Sequence, residues 1–183
     1  MLTIPSIPRG YGPWDFKCIG PGPKNIKFLI QEIIKIVLVY EKIKKSEIYI
    51  DIYLNTPEKM AEFHKKYLKK EGPTDTISLV IDNKTIYEDM PTMLGIINLC
   101  WQVIKDDAEH IKQDEIKHLA HITVHSTLHL LGYDHEEEED RKKMEAKEIL
   151  ILSKLGIGNP YLKMQSKAKN IEKDMAQEIE EEF

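Results

Sequence analysis

Apolar residues recur through NIKFLIQEIIKIVLVY (residues 25–40), and Lys27, Gln31, Glu32 and Lys35 interrupt them at roughly helical intervals. That pattern predicts an amphipathic helix over 24–43 covering a sheet, and the interruptions leave it short of a membrane span. EIYIDIYL (47–54) has strand composition and alternates apolar with polar at its start, the mark of a half-buried strand. Asn55-Thr56-Pro57-Glu58 opens a helix, with Thr56 as cap and Pro57 in the first turn, running to about Lys70. EGPTD (71–75) is a turn, TISLVI (76–81) a short strand, DNKTIYEDMPT (82–92) a polar loop and MLGIINLCW (93–101) a third strand. QDEIKHLAHITVHSTLHLLG (113–132) is helical and stopped by Gly132. EEEEDRKKMEAKEILILSKLG (136–156) is a further helix, with acids at its positive end and Gly156 closing it.

Composition sharpens the edges of this picture. Nine of the eighteen Gly and Pro residues fall in the first 23 positions, so 1–23 reads as an irregular arm, with Trp14 and Phe16 as its anchors. Residues 159–183 form a polar tail, and between them 24–158 holds one core: a single α+β domain. A net charge of −5 gives no global basic surface, although a local basic face can coexist with an acidic total. The two cysteines, Cys18 and Cys100, are far apart and outside any CxxC, as expected of free thiols in a reducing compartment. The N-terminal residues lack the features of a signal peptide, and a cytoplasmic location without membrane partners is the expectation.

The candidate chemistry sits in HSTLHLLGYDH, residues 125–135. On a helix His125 and His129 share one face about 6 Å apart along the axis, so both imidazoles reach one Zn²⁺. Gly132 takes the left-handed conformation that reverses the chain and lets His135 swing back as third ligand. Three neutral histidines leave a fourth position open, the pattern of catalytic rather than structural zinc. His121 lies one turn earlier on the stripe and reads as a partner behind a ligand, a substrate contact or a core histidine, whereas His118 reads as off the stripe and exposed. Asp134 has two readings as well: a carboxylate beside the metal that handles a proton, or, with Glu137, a capping box for the next helix.

The spacing H-x-x-x-H-x-x-G-x-x-H is also that of the metzincin proteases, whose general-base glutamate is here Ser126. Serine cannot take a proton at neutral pH, which disfavours a peptidase.

HSTLHLLGYDH resembles the H-G-x-L-H-L-x-G-Y-D-H signature of the YbeY family, bacterial endoribonucleases of ribosomal RNA maturation. YLKKEGPTDTISL resembles that family's Y-R-x-K-x-x-P-T-D-V-L-S-F segment and MLGIINL its L-G-D-I strand, so the likeness spans roughly 24–156. The resemblance implies a small mixed sheet packed against helices and one Zn²⁺ per chain on His125, His129 and His135. It further implies cleavage of single-stranded RNA at the 3′ end of small-subunit rRNA, a part in ribosome quality control, and the ribosome or its proteins as partners. Three residues depart from the family pattern: Ser126 for glycine, Ile96 for the strand aspartate, and Leu68 for the arginine that in the family lines the cleft. Lys65, Lys66, Lys69 and Lys70 make the best basic patch for an RNA backbone, with a solvated helix face as the alternative. The departures keep a second class open, a ribosome-assembly or RNA-binding factor with a mainly structural zinc.

Overall fold

In the computed structural model, residues 2–12, 14–44, 48–81 and 92–162 are described. The chain runs β1 (Asp15–Ile19), α1 (Lys24–Tyr40), β2 (Ile48–Leu54), α2 (Pro57–Phe63), a π-helical turn (His64–Leu68), β3 (Thr76–Val80), β4 (Thr92–Leu99), α3 (Trp101–His110), α4 (Glu115–Leu130) and α5 (Glu138–Lys154). The strands form one mixed sheet in the order β1-β2-β4-β3. β1, β2 and β4 are parallel, and β3 runs antiparallel to β4 at the edge. This is the α+β architecture implied by the resemblance.

Burial explains the sequence patterns. β2 turns Ile48, Ile50, Ile52 and Leu54 into the core and leaves Tyr49 exposed, the alternation of a sheet covered on one face. α1 is buried on two sides. Ile26, Ile30, Ile34 and Leu38 pack on the sheet, while Ile33, Ile36 and Val37 meet Ala120, Val124 and Leu128 of α4 and Met144, Ile151 and Leu152 of α5. A helix enclosed in this way reads as an almost continuous apolar run, and no helix among the described residues is long and apolar enough to cross a membrane.

Three local readings change. The Pro/Gly-rich stretch that reads as an irregular arm contains β1, which pairs in register with β2 from Asp15 opposite Tyr49 to Ile19 opposite Tyr53. Trp14 and Phe16 are buried there, and the Gln31 side-chain amide donates to the Phe16 carbonyl. Trp101 starts α3 rather than ending a strand; Ile104 and Ala108 face inward at helical spacing among exposed charges, which hide the helix from a pattern reading. The helix capped by Thr56, whose hydroxyl accepts from the Lys59 N–H at 3.4 Å, loosens into the π-helical turn and stops at Lys69 with φ 58°. The polar loop expected over 82–92, apart from Thr92, and the tail from 163 onward lie outside the described residues.

Gly95 sets how closely α4 approaches the sheet. It follows a register shift between β2 and β4 and has φ +154°; a Cβ there would lie 2.3 Å from the Leu79 carbonyl oxygen and 2.7 Å from a Leu130 methyl. Only glycine fits between a neighbouring strand and the helix that carries the histidines. Gly95→Ala is therefore expected to destabilise the protein by about 1–3 kcal/mol, read as a lower urea midpoint. An unchanged midpoint would refute this close packing.

Candidate metal centre

Asp114 starts α4, its carboxylate accepting from the Ile116 and Lys117 N–H groups at 3.0 Å each. The helix then drives Val124 and Leu128 into the core, so His125 and His129 emerge together at its edge. It ends as the spacing requires. Gly132 adopts φ +91°, its N–H bonding to the His129 carbonyl at 3.0 Å and that of Tyr133 to Leu128 at 3.1 Å, a Schellman closure. The Tyr133 hydroxyl donates to Glu41 at 2.7 Å, and Lys147 holds the same carboxylate at 2.9 Å. This anchors the reversed chain against α1 and α5, and His135 returns to the helix end. One ligand nitrogen from each of His125, His129 and His135 lies within 4.8 Å of the others.

The ring protons are assigned by their partners. The second nitrogen of His129, Nδ1, sits 2.9 Å from the Tyr133 carbonyl and must donate to it. Nδ1 of His125 sits 2.7 Å from a Glu148 oxygen and donates likewise. With both rings neutral the two Nε2 atoms carry lone pairs, and they face each other at 3.1 Å. Two lone pairs at that separation repel unless a metal ion or a shared proton lies between them; tetrahedral zinc with bonds near 2.05 Å would set its nitrogens about 3.3 Å apart. Burial, then His125 and His135, hold the His129 pKa below the ordinary histidine value, favouring the neutral ligand form. The donor set fits a transition metal such as zinc.

Glu148 of α5 is the functional residue missed by sequence reasoning. It is 1% exposed and accepts from His125, from His121 Nε2 at 3.2 Å and from the Tyr161 hydroxyl. Burial alone would raise its pKa, but these three donors outweigh that and lower it to about 2. A signal was present: Glu148 is an acid on the same helix face as Met144, Ile151 and Leu152. His121 therefore touches the carboxylate behind His125 rather than the ligand cluster. A cavity of about 190 Å³ adjoins the cluster, lined by His125, His135, Arg141, Glu145, Glu148 and Tyr161 among others. Arg141 is exposed and makes no ion pair among the described residues.

Other candidates fall elsewhere. Asp134 caps no helix: the N-cap of α5 is Glu137, without a side-chain bond, and Asp134 instead accepts from the His135 N–H at 2.7 Å, fixing the turn that carries His135. His118 is on the stripe, not off it, because seven residues fall about 20° short of two helical turns, and it is 8% exposed. Ser126 is fully buried and faces the sheet, its hydroxyl 2.8 Å from that of Thr76. Lys65, Lys66, Lys69 and Lys70 are exposed around the π-helical turn: Lys65 pairs with Glu71 at 3.0 Å, Lys66 sits 5.0 Å from the centre of the Tyr67 ring, and Lys69 donates to the Lys66 carbonyl. Leu68 beside them is half exposed, and Ile96 is partly buried opposite Asp51 and Leu79.

Comparison with known proteins agrees with this arrangement. Residues 20–156 match a family model described as Endoribonuclease YbeY. A protein of that name from Magnetococcus marinus is 36% identical over 121 residues, covering 62% of this chain and 82% of its own. Another, from Alteromonas mediterranea, is 33% identical over 141 residues, covering 77% and 84%. A solution structure of a Thermotoga maritima protein shares the fold at a TM-score of 0.53 and 21% identity, across 84% of this chain and 93% of that one.

Glu148→Gln keeps the shape of the side chain but removes the charge that orients His125. It is expected to weaken divalent-metal affinity by about 10–100-fold, measured by competition against a chelator; an unchanged affinity would show that the carboxylate does not serve the ligands.

Proposed function

The chain belongs to the YbeY endoribonuclease family, and from that membership we propose a zinc-dependent cut in single-stranded RNA during ribosomal RNA maturation, with a part in ribosome quality control in the cytoplasm. The observation that carries the metal dependence is the pair of facing Nε2 lone pairs, 3.1 Å apart, whose partner nitrogens are both committed as donors. His125, His129 and His135 are the residues that would hold the ion. When bound, it supplies Lewis acidity, which makes water a competent nucleophile near neutral pH and polarises a phosphoryl oxygen.

The rest of the work belongs to this chain's own groups. Glu148 and the Tyr133 carbonyl fix the tautomers of His125 and His129. Asp134 holds the His135 N–H through Oδ1 and so positions that residue, and its other oxygen is the candidate for handling a proton. His121 shares the Glu148 carboxylate, and its N–H helps hold that charge in place behind His125. Arg141, beside the ligands in the 190 Å³ cavity, offers a guanidinium for a phosphate, the role Leu68 cannot fill. Lys65, Lys66, Lys69 and Lys70 extend the positive surface available to the RNA backbone. The catalytic unit is residues 24–158 as drawn from the sequence, completed by β1 as an edge strand; ribosomal partners follow from the same reading.

The test is cleavage of a single-stranded rRNA fragment by zinc-loaded protein. His129→Ala should abolish it; cleavage persisting equally in the variant would overturn the metal-dependent reading. A protein that binds zinc and rRNA without cutting would instead be an assembly factor with a structural metal. Arg141→Ala should lower kcat/KM by up to about 100-fold without loss of zinc, and Leu68→Arg should raise cleavage. If neither variant changes the rate, phosphate is held elsewhere.

A further inference from the structure

Two turns before His125 on the same face of α4, His118 is nine-tenths buried, and neither ring nitrogen has a hydrogen-bond partner among the described residues. A buried imidazole left unpaired at both nitrogens is costly, and it usually marks a missing water or ion. What it faces is specific. One ligand atom each from His118, Asp75 and Asp107 lies within 4.8 Å of the others. Asp75 immediately precedes β3, Asp107 lies in the last turn of α3 and His118 in the first turn of α4, so the cluster stands where three elements meet.

We propose that Asp75, Asp107 and His118 form a second divalent-cation site, separate from the three-histidine centre. The separation is about 10 Å along the helix from His118 to His125, too far for one ion to serve both. The Asp75 side chain is already oriented for ligation. Its Oδ1 accepts from the Thr76 N–H at 2.6 Å and the Thr74 hydroxyl at 3.1 Å, which fixes the carboxylate and leaves Oδ2 for a ligand. The Asp75 carbonyl also accepts from the Cys100 N–H at 2.8 Å, tying the site to the start of α3. Asp107 is exposed and free to close on an ion.

The electrostatics agree. Partial loss of water and then Asp75 raise the Asp107 pKa, and burial and then His121 lower that of His118 despite the opposite pull of Asp75 and Asp107. A bound cation reverses both strains: it relieves the repulsion between two carboxylates and ligates an imidazole already kept neutral. One nitrogen and two carboxylate oxygens suit borderline divalent ions, Zn²⁺ or Mn²⁺, with water completing the shell on the exposed Asp107 side. The site's role is structural, clamping α3 and β3 to the start of α4.

The proposal stands independently of the nuclease reading, and its test begins from the His129→Ala chain, where the three-histidine centre is disabled. Equilibrium dialysis of the full-length protein against Zn²⁺ should give two ions per chain in the wild type and one in His129→Ala. Asp107→Asn and Asp75→Asn should each retain only one, the latter still able to accept the Thr76 N–H. Mn²⁺ added to the His129→Ala protein should broaden the backbone amide resonances of residues 116–120 before that of His135. His118→Leu should bind one Zn²⁺ yet keep the metal-free melting temperature, because it removes only an unpaired polar ring; if it fails to fold, the exposed Asp107 variant still decides. No ion bound by the His129→Ala chain, or a second ion retained in both aspartate variants, would overturn the proposal.

Discussion

The carboxylate of Glu148 is the constraint around which the candidate metal centre is organised. A charge buried to 1% exposure is tolerable only where donors surround it, and here three converge from different parts of the chain: His121 and His125 on α4, and Tyr161 beyond α5. The packing that brings them together is apolar. Met144, Ile151 and Leu152 seat α5 against Ala120, Val124 and Leu128 of α4, and Glu148 is carried on that same face. The hydrophobic seam therefore sets the register, and the acid converts that register into the tautomer of a ligand. A slip of α5 by one turn would leave both the charge and the imidazole without partners.

His129 solves the same problem by local means. Its Nδ1 is held by the Tyr133 carbonyl, which Gly132 turns back over the helix end, so a backbone reversal does for His129 what a distant side chain does for His125. The two solutions are electrostatically unequal. His125 is backed by a full negative charge and His129 by a neutral carbonyl, and burial, then the two neighbouring histidines, lowers the His129 pKa. The Tyr133–Glu41–Lys147 chain then locks the reversal to α1 and α5, so His135 is presented by a turn that the core itself anchors, although the residue is exposed.

This difference explains what was legible in the sequence. His125, His129, Gly132 and His135 are related by helix pitch and one glycine turn, so spacing alone brings them together. Glu148 meets His125 across 23 residues, a relation set by how α5 packs on α4, and only its place among apolar neighbours betrays it. Asp134 was misleading because its carboxylate has a nearer donor, the His135 N–H, than any group in α5. Most elements followed from periodicity, whereas β1 was masked by the glycines and prolines around it and α3 by charges outnumbering its few inward residues. His118 looks like a surface histidine only if the seven-residue relation to His125 is overlooked.

Ser126 carries the remaining step. The histidine spacing is shared with zinc peptidases that take their base from the residue after the first histidine, but in this fold that position is buried against β3. Ser126 bonds to Thr76, and the Ser78 hydroxyl donates to the Ser126 carbonyl at 3.3 Å. A glutamate at 126 would have to displace the Thr76 contact, and serine offers no base there, so in this chain the shared spacing carries only the ligands. Groups that act on the substrate, Asp134 apart, must then come from outside the motif. The side chains that line the adjoining cavity from α5 are Arg141, Met144, Glu145 and Glu148, and Glu148 is already spent on the histidines. Among the described residues that leaves the Arg141 guanidinium, suited to phosphate, and the Glu145 carboxylate, on the helix that also orients the histidines. In this chain α5 both orients the histidines and lines the cavity beside them.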